Sequence, residues 1–103
     1  MATPSTLTVY KSSTDILPVF ADWSGWLTRE GTSLGTTVTI STSSWSIEGS
    51  GVTLLGSPAP AVNGSITSAW LDGGTSGTQV HAVNRITTSA GHDVSRSITV
   101  VIT

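Results

Sequence analysis

The side chains able to carry chemistry are few and scattered. His81 falls on an outward position of a strand pattern, and His92 falls in a turn. Neither has a second histidine or a carboxylate at metal-ligand spacing, so the sequence offers no metal site. The carboxylates Asp15, Asp22, Glu30, Glu48, Asp72 and Asp93 stand mostly at strand ends and turns, where solvation or turn formation accounts for them. Asp22 is placed to accept a hydrogen bond near Trp23. Serines are abundant, but none is accompanied by a base in a recognisable arrangement. The run "DGGTSG" from Asp72 to Gly77 precedes no helix and makes no phosphate cradle. There are no cysteines, which excludes disulfides and thiolate sites. The expectation is a protein without catalytic residues, cofactor or metal.

The polar residues that do cluster lie in "NRITTSAGHDVSRS". Arg85 and Arg96 flank a final hairpin with Asp93 near its tip. Either they set register through weak exposed ion pairs, or one arginine reaches a neighbouring subunit. Asn84 falls on an inward position between Ala82 and Ile86. A buried amide must be hydrogen-bonded, so Asn84 is expected to tie to backbone in an adjacent strand or loop.

These residues must be positioned by strands. Only 10% of the 103 residues are charged and roughly a third are Ser or Thr, a composition that leans to strands and turns. The net charge is -2 with four basic residues, which gives no footprint for nucleic acid or an anionic membrane. No stretch approaches the length of a membrane span, and the opening "MATPSTLTVYK" is read as carrying no secretory signal. Apolar residues alternate at period two in "TLTVYK", "ILPVFADW", "TTVTI", "SWSIE", "GVTLL", "SITSAWL", "TQVHAVNRITT" and "VSRSITVVIT". The parity breaks between Ile40 and Trp45, which predicts a bulge at Ser41 to Ser44. In "SITSAWL" the parity of Trp70 is ambiguous. Gly91 in "SAGHD" fits a tight hairpin, and Gly56 to Ser65 is the one Pro/Gly-rich loop. No helix is predicted.

About seven short strands in one domain fit an all-β, antiparallel β-sandwich of the immunoglobulin or fibronectin type, spanning residues 1–103 with a flexible end at 1–5. Trp45, on the third strand, is expected to pack across the core. Trp23 continues the inward face of Leu17, Val19 and Ala21 and is expected in the core as well. Trp26, just past Ser24-Gly25 where the strand should turn, is expected to cap the open end of the sandwich. Phe20 should face outward beside Pro18, and Pro18 marks an edge strand or its start. An outward aromatic is a docking anchor, so Pro18, Phe20 and one sheet edge are candidate protein contacts, together with Arg85 and Arg96.

The segments "K…DILPVFADWSGWL", "TISTSSW", "WLDGGTSGT" and "VNRITTSAGHDVSRSITV" resemble the phage fiber-tail adaptor proteins, small immunoglobulin-like virion proteins of tailed phages. The resemblance runs from Lys11 to Ile102. It rests most on Asp22-Trp23-Ser24 with Trp26-Leu27, on Trp70-Leu71 followed by Gly73-Gly74-Thr75, and on Asn84 to Thr88 with Ser89-Ala90-Gly91. His92 stands where the family leads one to expect arginine. The resemblance implies a non-enzymatic structural protein of the virion tail or neck, present in host cytoplasm during assembly. Its partners would be other virion proteins, a tail or portal-proximal component and the tail fiber, in a ring of six or twelve copies. Two other readings stay open: a capsid decoration protein on the same fold, and a carbohydrate- or cell-surface-binding module stacking sugars on Trp26 or Trp70.

Overall fold

A computed structural model describes residues 7–57 and 59–103. The expected flexible end at 1–5 lies outside them, as does Pro58 of the Pro/Gly-rich loop. Among the described residues eight strands form two packed sheets: β1 (Leu7–Lys11), β2 (Leu17–Asp22), β3 (Ile40–Glu48), β4 (Val52–Leu54), β5 (Ala61–Asn63), β6 (Ile66–Gly73), β7 (Gln79–Thr88) and β8 (Asp93–Ile102). One sheet runs β1-β8-β7-β3; the other runs β2-β6-β4, with β5 also pairing β6. The fold is therefore an all-β sandwich. It is not wholly antiparallel, because β1 pairs parallel to β8. Strand alternation fixes which face is buried but is blind to strand direction. The break in β3 is present as a register shift between Ile40 and Thr42. The Gly56–Ser65 loop contains the short strand β5.

The expectation of no helix is wrong. Ser24–Leu34 forms α1, which carries the chain from β2 in one sheet to β3 in the other. The segment "SGWLTREGTSL" is a poor helix former, with two glycines and four Ser/Thr residues. Packing overrides that propensity. Trp23, Trp26 and Leu27 recur at helical spacing and are all buried. The Asp22 carboxylate accepts the Ser24 N–H at 2.9 Å and satisfies one orphan donor of the first turn. Thr28 and Thr32 donate their hydroxyls back to the Ser24 and Thr28 carbonyls. Gly35 ends the helix in the left-handed region at φ 70°.

The interior has two parts. Val19, Ala69, Leu71, Val80, Ala82, Ile98, Val100 and Ile102 fill the space between the sheets. Under the helix, Trp23, Trp26, Leu27, Val38 and Ile86 form a second cluster, and Trp45 packs against both. Trp26 thus sits on a helix rather than at a strand turn, meeting Trp23 edge to face at 5.9 Å. Complete burial of Trp23, which removes ~150–250 Å² from water, contributes about 4–6 kcal/mol. At the opposite end Lys11, only 1% exposed, donates through Nζ to the Ser12 and Gly73 carbonyls at 2.9 and 2.6 Å, tying β1 to the end of β6.

Candidate interaction surface

Parity decides what β2 shows to solvent. Val19 and Ala21 are buried, so Pro18 and Phe20 take the outer face, opposite Trp70 and Ser68 of β6. The Trp70 carbonyl accepts the Leu55 N–H on its other flank. Trp70 and Pro18 therefore form a non-hydrogen-bonded pair, and the N–H that Pro18 lacks would have faced the open edge, where it costs the sheet nothing. By the same alternation the N–H and carbonyl of Phe20 point to that edge. Among the described residues no strand pairs there.

Phe20 is 52% exposed and Ile66 is 42% exposed. They border a groove of about 810 Å³ lined also by Asp22, Ala61, Asn63, Ser68, Ile98 and Arg96. Ile66 is a groove residue whose orientation the sequence left undecided. With Thr67, Ala69 and Leu71 buried, Ile66, Ser68 and Trp70 must face out, and Trp70 is half-buried there.

Arg96 reaches this groove from the facing sheet. Its guanidinium lies 4.4 Å from the centre of the Trp23 ring and donates through Nη1 to the Asp22 carbonyl at 2.6 Å. Its Nε is buried with no hydrogen-bond partner. Burial depresses the Arg96 pKa, and the nearby Asp22 carboxylate opposes the shift. The Asp22 carboxyl is itself held below its usual range by the Ser24 N–H.

Arg85 lies elsewhere. It pairs with Asp93 at 3.1 Å on an exposed face of the other sheet. Thr87 first, then Arg85, lowers the Asp93 pKa. The structure thus brings Pro18, Phe20 and Arg96 to one region and leaves Arg85 outside it. His92 Nδ1 meets Glu30 at 2.7 Å, joining the last hairpin to α1. Gly91 makes that hairpin's turn at φ 83°.

Asn84 anchors the surface from beneath. Its Oδ1 accepts Trp23 Nε1–H at 2.8 Å and the Thr67 hydroxyl at 2.6 Å. Its Nδ2 donates to Ser43 Oγ and to the Ser44 carbonyl, both at 2.9 Å. Indole N–H only donates, which fixes the amide orientation. One fully buried amide therefore ties β7 to β3, to β6 in the facing sheet, and to the tryptophan against which Arg96 stacks. Trp45 Nε1, by contrast, is buried without a partner among the described residues.

The described residues hold no group of three or more His, Cys, Asp or Glu able to bind a metal ion. A two-layer β protein with apolar side chains displayed on a sheet face and edge presents a surface of the kind that marks protein–protein contacts. The chain matches the podophage GP4 fiber-tail adaptor protein gp77 family over residues 11–101 and belongs to that family. It is a structural protein of a phage tail. No curated protein matches it.

Proposed function

We propose that the protein connects a tail component to the tail fibers through protein–protein contacts centred on the outer face of β2, with Pro18 and Phe20 at its heart. The observation that carries this reading is Phe20, an aromatic 52% exposed on an uncovered edge strand beside a groove. Truncating a central interface aromatic typically costs 2 kcal/mol or more of binding, about thirtyfold in affinity. The ring of six or twelve copies and the passage through host cytoplasm belong to the same reading. The glycan-binding alternative loses Trp26 as a platform, since Trp26 is 6% exposed, and keeps only Trp70, half-buried on the outer sheet face.

The test is complementation of a phage lacking this gene with Phe20→Ala. The purified variant should keep its melting temperature, because an exposed side chain carries little stability. Particles made with it should lack fibers or the protein itself. Particles with full fiber content would overturn the assignment of Phe20.

A further inference from the structure

The two sheets are unequal. The sheet β1-β8-β7-β3 faces the shorter path β2-β6-β4. At one side β3 packs near β4 and β5; at the other, Ile98 and Arg96 of β8 meet Ala21 and Asp22 of β2. So β8 lies over β2, and β1, the next strand out, overhangs the open edge of β2. Val9 shares the inward face of Val100, its register partner in β8, and Leu17 shares the inward face of Val19. Both are nevertheless only partly buried. Among the described residues no strand lies beside β2 to cover them. The groove at Phe20 passes round this edge, since its lining joins Phe20 and Ser68 of the outer face to Ala21 and Ile98 of the inner one.

The edge also carries a defined set of hydrogen-bonding groups. The register with β6 turns outward the Pro18 carbonyl, the N–H and carbonyl of Phe20, and the N–H of Asp22. Pro18 has no N–H to give, and the Asp22 carbonyl already accepts Arg96 Nη1. The usable stretch is therefore centred on Phe20 and closed at one end by Pro18 and at the other by Arg96. An antiparallel strand of about five residues satisfies every free group in it. Its middle residue stands beside Phe20 on the outer face. The residues on either side of that one point inward, opposite Val19 and Ala21, toward the apolar side chains of Val9, Leu17 and Ile98. The overhang of β1 admits a single layer. A second copy pairing through its own β2 would drive its own β8 into β1, so the edge fits a lone extended segment and not another sandwich.

We infer that β2 takes its virion partner by strand addition: an extended arm of that protein, apolar at two alternate positions, pairs antiparallel with the β2 edge from Pro18 to Asp22. The inference deepens the adaptor reading and rests on it. Backbone pairing supplies affinity, and the inward side chains of the arm supply specificity.

Amide hydrogen exchange, read by mass spectrometry on the purified protein and on intact virions, tests it without any substitution. The N–H groups of Phe20 and Asp22 should exchange freely in the purified protein and roughly a hundredfold more slowly in virions. Fast exchange in both, or protection already present in the purified protein, would overturn the inference. Absence of the protein from virions would overturn the adaptor reading as well. Fiberless particles from a phage lacking this gene then separate backbone pairing from side-chain contact. They are incubated with the wild type, with Phe20→Ala, and with a chain synthesised with N-methylphenylalanine at position 20, which keeps the ring and blocks the edge. The N-methyl chain should keep its melting temperature, because that N–H faces solvent, and restoring fibers should take roughly tenfold more of it than of the wild type. An N-methyl chain as effective as the wild type while Phe20→Ala fails would overturn strand addition and leave the adaptor reading standing. Full restoration by all three would overturn the role of Phe20 in both. A wild type that dimerises in sedimentation velocity, with the N-methyl chain monomeric, would give the edge to a second copy and overturn the inference.

Discussion

Replacing Asn84 by Leu removes four hydrogen bonds while keeping the number of side-chain heavy atoms. The indole N–H of Trp23 and the hydroxyl of Thr67 would each lose their partner in the interior, while the carbonyl of Ser44, on an exposed residue, can turn to water. An unsatisfied buried donor or acceptor costs about 1–3 kcal/mol. The Thr67 hydroxyl can rotate toward another acceptor, so the Trp23 N–H bears the full penalty, and with the other lost bonds the total is a loss of ~2–4 kcal/mol. Total stability of such a domain is about 5–15 kcal/mol. At ~4–8 °C per kcal/mol the melting temperature should fall by about 10–30 °C. Urea unfolding followed by tryptophan fluorescence reads the change, with Trp23 the residue reporting on this site. Thr67→Val in the Asn84→Leu background should cost less than in the wild type, because its partner is already gone. A loss under ~1 kcal/mol for Asn84→Leu, or strict additivity with Thr67→Val, would refute the view that this amide holds the two sheets and α1 together.

Lys11 gives a contrast between two substitutions. Lys11→Met keeps the packed stem and discards an ammonium bound only to two carbonyls, so urea unfolding should show a change within about 1 kcal/mol. Lys11→Glu sets a carboxylate against those same carbonyl oxygens and should cost more than ~3 kcal/mol. The carboxyls of Asp15, Asp22 and Asp93 are all lowered in the folded state, by the Ser12 N–H, the Ser24 N–H and the Thr87 hydroxyl respectively. A lowered folded pKa contributes stability that is present above the ordinary value of ~3.9 and is lost as pH falls through the folded values. Melting temperature should therefore hold from pH 7 to about 4.5 and decline below about 4. A decline already complete at pH 5 would contradict this assignment.

The sandwich was legible because most strands keep strict alternation. Val80, Ala82, Asn84 and Ile86 share one inward face of β7, and that parity put a polar amide among apolar neighbours. The helix was not legible, because Gly25, Gly31 and four Thr or Ser side chains mask a stripe of only Trp23, Trp26 and Leu27. That spacing of three and four residues, with Asp22 before it and Gly35 after it, was the available signal. Lys11 continues the parity of Val9, so its burial was encoded, yet a lysine on an inward position reads as a strand end unless the facing carbonyls are known. Ile66 was hidden because "SITSAWL" carries apolar residues on both parities. Arg96 could be placed on the inward face of β8, but its stacking on Trp23 depends on how the sheets cross, which alternation does not specify.

A cryo-electron microscopy reconstruction of the intact virion, at a resolution that shows side chains, should find this sandwich between a tail component and the fibers. Phe20 and the outer face of β2 should be buried against another chain. Copies found on the capsid shell instead, or a tail position in which Phe20 and the β2 edge remain in solvent, would contradict the docking surface argued from the edge strand.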